Sequence, residues 1–287
     1  MRSPGDIAAG KHCYTMNTFL YNGKPVCYQK EGSGFPVLFL HGFAEDSDVW
    51  KHQLSFLQLS ATVIIPDLPG SGQSYLLQKE DGSDVTMADY ADCIYGLLKH
   101  ENISRCFVFG HSMGGYITLA LAEKYPEVIQ GFGFIQSTAF ADSEEKKAMR
   151  LKGIGTISQY GSYAFIKSTT PNLFSDEYKA TRGDEIESLI NKGKNFSKPA
   201  LQQYYNAMRL REDKTAVLKN STVPVLFIIG KEDKAAPLAD LLKQVYLPSV
   251  SYLHILEVAG HMGMWERADE VNGHLLAFIK DNSLVVA

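Results

Sequence analysis

The sequence is short of several things that would each mark a particular class of protein. Its 28 Lys and Arg residues stand against 32 Asp and Glu, a net charge of −4. No basic run collects the positive side chains, and the densest charged segment, Glu144-Glu145-Lys146-Lys147, mixes both signs. A nucleic-acid surface needs a basic patch or stripe, so that class is set aside. No stretch approaches the roughly 18 continuous apolar residues of a membrane span. Residues 1–13 lack the apolar centre of an export signal. The expectation is a cytoplasmic protein with no membrane contact. Cysteine is scarce: Cys13, Cys27, Cys93 and Cys106 are widely spaced, with no CxxC and no Cys/His cluster. That spacing argues against a zinc site and for reduced, buried thiols. No internal repeat and no low-complexity tract is present.

What remains is the profile of an ordinary globular chain. Its 287 residues are 45% hydrophobic and 21% charged, enough for a large core in one domain with an insertion, or in two domains. Residues 18–32 carry Asn22-Gly23 between apolar-rich runs, a hairpin signal. Three short, nearly unbroken apolar runs follow, "PVLFLHG" (36–42), "ATVIIPDLPG" (61–70) and "RCFVFGHS" (105–112). Runs without alternation are buried on both faces, as in a parallel sheet. Helical patterns separate them at 50–60, 86–102 and 114–127; the second starts on Thr86, with Asp89 placed for a capping box. A further strand is predicted at 129–138.

The alternation then stops. Residues 139 to about 216 hold no convincing strand, and helical patterns occur at 142–154, 175–193 and 198–213. Strand signals return at 224–233 and 251–260, with helices at 238–247 and 269–281. Strands alternating with helices predict an α/β fold with a mostly parallel sheet. The interruption predicts a helical cap over 139–216, between core segments 1–138 and 217–287.

A strand leads into Gly110-His111-Ser112-Met113-Gly114 and a helix leaves it. A serine hydroxyl is a poor nucleophile until a base takes its proton and donors hold the oxyanion. The G-x-S-x-G pattern alone is weak, but strand–turn–helix is the setting a nucleophile elbow requires. The segment 224–233 ends in Gly230 and offers both Glu232 and Asp233. The segment after the last strand, "AGHMGMWE", offers His261.

The order nucleophile, acid, histidine resembles that of the α/β-hydrolase fold superfamily, and the likeness covers nearly the whole chain. In that family the acid lies in a G-x-x-D arrangement with a proline four residues on. Gly230, Asp233 and Pro237 match, so the resemblance selects Asp233 over Glu232. It implies that Ser112, Asp233 and His261 form the catalytic triad. His41-Gly42-Phe43 is similar to the family's oxyanion loop, implying an oxyanion hole from the backbone N–H groups of Phe43 and Met113, with His41 bracing the loop and Trp50 packing. "DLPGSGQS" (67–74) resembles a loop of the same family, with Asp67, Gly70 and Ser74 as loop architecture. Ala268 stands where the family often has proline. His111 is not assigned the base's role.

The resemblance implies no metal and no cofactor. Serine at the elbow excludes the aspartate-nucleophile dehalogenases and epoxide hydrolases of this fold. Open are a serine hydrolase of a small ester, lactone or thioester, a carbon–carbon bond hydrolase or lyase-like relative, and a slow-turnover binding protein of the same fold. The 139–216 segment is rich in aromatics, and Tyr160, Phe174, Tyr205 and Met208 are candidates for lining a pocket for an apolar substrate. Oligomeric state is left open.

Overall fold

The computed structural model describes residues 16–283; the expectations for Cys13 and for the first residues of the chain lie outside that range. Two antiparallel strands open the chain, β1 (Met16–Tyr21) and β2 (Lys24–Glu31). Their turn is Asn22-Gly23, with φ of 50° and 72°, the left-handed pair of a two-residue hairpin. The first crossovers follow: β3 (Phe35–Leu40), α1 (Lys51–Leu57), β4 (Ala61–Pro66), α2 (Met87–His100), β5 (Cys106–His111), α3 (Met113–Lys124) and β6 (Ile129–Ile135). Helices alone follow, α4 (Glu144–Tyr160), α5 (Ser162–Thr169), α6 (Asp176–Thr181), α7 (Gly183–Lys192), α8 (Lys198–Leu210) and α9 (Thr215–Lys219). The sheet resumes with β7 (Val225–Gly230), α10 (Leu238–Leu241), β8 (Ser251–Leu256), α11 (Gly263–Glu266) and α12 (Ala268–Ser283).

The eight strands form one sheet in the order β1-β2-β4-β3-β5-β6-β7-β8. The pairings of β2 with β1 and β4 are antiparallel, and every pairing from β4 to β8 is parallel. The apolar runs explain this. Residues alternate across a strand, so Leu38 and Leu40 of β3 enter one apolar layer with Tyr90, Ile94 and Ile117. Val37 and Phe39 enter the opposite layer with Trp50, Leu54, Leu275 and Phe278. Each fully buried Leu or Phe contributes roughly 1.5–3 kcal/mol, and both layers vanish if β3 slips by one residue. The two neighbours of β3 are β4 and β5, so the chain winds outward in both directions from it. Residues 41–43 and residue 112 follow the carboxyl ends of β3 and β5 at this reversal point, the position at which open α/β sheets bind ligands.

The predicted capping box is present: the Thr86 N–H donates to Asp89 Oδ2 at 2.7 Å. The 67–74 loop is held as architecture. Asp67 accepts N–H groups of Ser47 and Gln73, and Ser74 Oγ donates to the Asp67 carbonyl at 2.6 Å. Cys27, Cys93 and Cys106 are free and buried, and burial pushes the Cys106 thiol up to about 12.

Several helices differ from their sequence reading: α4 runs on to Tyr160, and α9 and α11 have no counterpart in it. The pattern at 175–193 breaks into α6 and α7 at Arg182, φ −131° and ψ 35°, beside Gly183, which costs about 1 kcal/mol in a helix interior. Helix α5, after the Gly161 break at φ 91°, has no counterpart in that reading. The pattern at 238–247 is helical only to Leu241. Beyond it the buried Gln244 carboxamide bridges the Ser137 carbonyl and the Ala139 N–H at 2.9 and 2.7 Å. The helices α4–α9 are fastened to the sheet's loops. The Tyr204 hydroxyl donates to the Leu68 and Pro69 carbonyls, and the Leu173 carbonyl accepts the His261 N–H at 2.7 Å.

Candidate active site

Ser112 sits between β5 and α3 with φ 49° and ψ −113°. A non-glycine residue there costs on the order of 1–3 kcal/mol and persists only when its surroundings hold it. Three hydrogen bonds do so. The Ser112 N–H donates to the Ile135 carbonyl at 3.1 Å, and its carbonyl accepts from the Gly115 N–H at 3.0 Å and from Ser137 Oγ at 2.6 Å. The flanking glycines are needed for close approach: a Cβ on Gly110 would overlap the Gly114 backbone, and one on Gly114 the Leu40 carbonyl. Met113 is the first residue of α3, so its N–H is one of the four without an intrahelical acceptor, at the positive end of the helix dipole.

Asp233 and His261 come together from the ends of β7 and β8. His261 Nδ1 donates to Asp233 Oδ2 at 2.7 Å, while Asp233 Oδ1 accepts the N–H groups of Ala235 and Ala236, each at 2.8 Å. A carboxylate with its other oxygen so occupied fixes the ring's tautomer and leaves Nε2 as the atom able to accept a proton. Both side chains are buried, whereas Glu232, the other acid of the sequence motif, stands in solvent. Burial pushes the His261 imidazolium down, but Asp233, with Glu45 and Glu266 behind it, outweighs burial and holds the group above its ordinary value. The residue before Ser112 touches the histidine loop: His111 Nε2 lies 2.8 Å from the His261 carbonyl, and the two rings are 4.9 Å apart. Among the hydrogen bonds of the described residues, none joins the Ser112 hydroxyl to His261. Such contacts commonly tighten only around a bound substrate.

The loop after β3 supplies the third component. His41 Nε2 accepts the Leu68 N–H at 2.9 Å and faces Ser71 Oγ at 2.8 Å. Its Nδ1 donates to the Gly42 carbonyl at 2.9 Å, so the ring is a neutral brace within this loop. Ala44 takes φ 58°. Among the described residues nothing accepts the Phe43 N–H, which leaves it as a free donor in the loop after β3.

The aromatic candidates separate. Tyr205 stacks on Phe43 with centroids 4.2 Å apart and planes 10° apart, and Phe165 meets both rings edge-on. Met208 is buried in the same apolar layer. Phe174 is buried on the other side, against Tyr178 and Trp265, directly after the Leu173 carbonyl that holds His261. Tyr160 ends α4 with 64% of its surface exposed and stands outside this group, because the Gly161 break turns the chain away there.

Three residues were not identified from sequence. Ser137 clamps the elbow. Glu266 accepts the Gly260 N–H at 2.9 Å and the Ser175 N–H at 2.8 Å, pinning the histidine loop to the inserted helices. Glu45 pairs with His111 at 3.0 Å. The only signal for them was proximity to motifs in the chain, and that does not give side-chain direction. Among the described residues, no group of three or more His, Cys, Asp or Glu is arranged to hold a metal ion. No helix among them is long and apolar enough to cross a membrane.

Comparison with known proteins extends this picture. The sequence model of a family described as alpha/beta hydrolase fold matches residues 36–268. The chain is 29% identical over 252 residues to the dihydrolipoyllysine-residue acetyltransferase component of the acetoin cleaving system of Pseudomonas putida; the match takes in 86% of this chain but only 64% of that protein's length. It is 26% identical over 275 residues to a 2-hydroxy-6-oxo-6-phenylhexa-2,4-dienoate hydrolase of Comamonas testosteroni, covering 88% of this chain and 90% of the relative. Among solved structures, a thermophilic esterase from Thermogutta terrifontis superimposes with a TM-score of 0.85 at 25% identity, covering 93% of this chain and 97% of the esterase.

Proposed function

The chain belongs to the alpha/beta hydrolase fold family, and from that premise we propose that it is a serine hydrolase, cleaving a small carboxylic ester, lactone or thioester through an acyl-enzyme on Ser112. The observation that carries this reading is the 2.7 Å bond from His261 Nδ1 to Asp233, which leaves Nε2 free to accept a proton. Ser112 Oγ attacks the carbonyl carbon while His261 Nε2 takes its proton. The tetrahedral oxyanion is held by the Phe43 and Met113 N–H groups, each such donor being worth about 3–4 kcal/mol in comparable sites. His261 then gives its proton to the leaving group. It next takes one from the water that attacks the acyl carbon, and returns it to Ser112 Oγ as the acyl–oxygen bond breaks.

In this reading residues 139–216 are a cap on a core made of 1–138 and 217–287. The Tyr205–Phe43–Phe165 cluster and Met208 form an apolar wall for the acyl or aromatic part of the substrate. Likeness to the Thermogutta terrifontis esterase supports the ester reading. Likeness to the Comamonas testosteroni enzyme favours a second one, in which the same three side chains cleave a carbon–carbon bond of a dienoate.

Ser112→Ala tests the common step. Turnover of p-nitrophenyl acetate should fall to background while the fold survives, and retained turnover would remove the nucleophile from the proposal. A parallel panel of esters, lactones and 2-hydroxy-6-oxo-dienoates separates the two readings. A protein that labels at Ser112 but turns over nothing in the panel would instead be a binding protein of this fold.

A further inference from the structure

The triad does not account for Glu45 and His111. Both are buried, Glu45 at 5% and His111 at 0% exposure, and a buried ionisable pair is costly unless each hydrogen-bonding atom is met. Here Glu45 Oε2 and both ring nitrogens of His111 are met, through three different loops. Glu45 Oε2 accepts the Gly42 N–H at 2.6 Å and lies 3.0 Å from His111 Nδ1, while His111 Nε2 lies 2.8 Å from the His261 carbonyl. A carbonyl oxygen can only accept, so Nε2 carries a proton. Burial raises the Glu45 carboxyl, but the His111 ring and the Gly42 N–H outweigh it and hold the group below the ordinary glutamate value. The Nδ1–Oε2 hydrogen bond occupies the second ring nitrogen. With both nitrogens engaged, His111 has no lone pair free for catalysis.

We propose that Glu45 and His111 are positioning residues that lock the oxyanion loop, the nucleophile elbow and the histidine loop into one register. The proposal rests on the serine-hydrolase reading above. Gly42 precedes Phe43, whose N–H is the oxyanion donor. His111 precedes Ser112, and the carbonyl it grips belongs to the base itself. A misplacement of about 1 Å among such groups can cost on the order of 100-fold in rate. The pair is also an electrostatic neighbour of the base. His261 is faced by Asp233, Glu45 and Glu266 as carboxylates and by the His111 ring. Glu45 is faced by His111 and by His41, whose bonding makes it neutral. Removing the Glu45 charge therefore lowers the His261 value, and removing the His111 ring acts in the same direction, because burial then raises the Glu45 carboxyl and neutralises it.

The test is kcat and KM against pH for wild type, Glu45→Gln and His111→Gln, with p-nitrophenyl acetate as substrate and circular dichroism melts as a check of folding. Both variants should lose about 10- to 100-fold in kcat with KM within about twofold. Both acid limbs should move down, because the carboxylate charge beside His261 is lost in each variant. A merely structural pair would lower the melting temperature and shift neither limb, and that result overturns the proposal. If neither variant folds, a nitrogen-15 spectrum of histidine-labelled wild type decides: the resting protein should contain two histidines with a ring nitrogen hydrogen-bonded to a buried carboxylate, and a single one refutes the arrangement. The two readings fail separately. Turnover by Ser112→Ala sinks the serine reading. An inactive Ser112→Ala beside Glu45→Gln and His111→Gln of wild-type kcat and pH profile sinks only the positioning role.

Discussion

Replacing Asp233 by Asn is the perturbation whose consequence the geometry fixes most tightly. Asp233 Oδ1 accepts the Ala235 and Ala236 N–H groups, and Oδ2 accepts from His261 Nδ1. In Asp233→Asn the amide oxygen keeps the two backbone donors, because only an oxygen can accept them. The NH₂ group is then left facing Nδ1. Two donors cannot share that contact, so the imidazole moves its proton to Nε2 and presents an N–H to Ser112 where a lone pair is required. The fold keeps its shape and the base is in the wrong tautomer. A loss of about 10⁴ in kcat follows, or ~5 kcal/mol of transition-state stabilisation. Stopped-flow or plate-reader hydrolysis of p-nitrophenyl acetate measures it, with circular dichroism as the check that structure is intact. A folded Asp233→Asn protein with kcat within about tenfold of wild type would refute the tautomer argument and with it the assignment of Asp233.

Two further predictions concern pH and the elbow. His261 is held above its ordinary value by Asp233 against burial, and in the proposed mechanism it accepts a proton only when neutral. The kcat/KM profile should therefore rise with pH along an acid limb centred above about 6.5; a limb at or below that value contradicts the pairing. The same shift has a stability sign. The contribution from His261 is complete below about pH 6.5 and is lost as pH rises through the folded-state value. Gly114→Ala should cost about 3 kcal/mol or more in thermal unfolding, because the new Cβ overlaps the Leu40 carbonyl, which is backbone and cannot rotate aside. The contrasting Gly155→Ala meets nothing within 4 Å, and on the exposed face of α4 it should stabilise by about 0.5–1 kcal/mol. Equal effects from the two would contradict the close-approach account.

How much of this was legible in the sequence depends on what each feature rests on. The strands β3, β4, β5 and β7 declare themselves because a parallel strand buried on both faces must be a continuous apolar run. The elbow declares itself because its backbone tolerates only glycine at 110 and 114. Asp233 could be chosen over Glu232 only through likeness to a family. The physical difference, one side chain buried against an imidazole and the other in solvent, is set by the turn after Gly230 and is invisible in the string. Glu45, Ser137 and Glu266 were out of reach for the same reason. Each acts by accepting or donating across loops far apart in sequence, and nothing local marks an acid that will turn inward. Composition pointed to Tyr160 and Tyr205 alike, but Gly161 ends α4 and leaves the first in water, while the register of α8 lays the second on Phe43.

The most direct measurement is the site of reaction with a fluorophosphonate, read by mass spectrometry of the digested protein. Ser112 should carry the phosphonyl adduct stoichiometrically, with labelling faster as pH rises along the acid limb of His261 and absent from Ser112→Ala. An unmodified Ser112 under conditions that label a known serine esterase, or an adduct on another residue that survives in Ser112→Ala, would contradict the account.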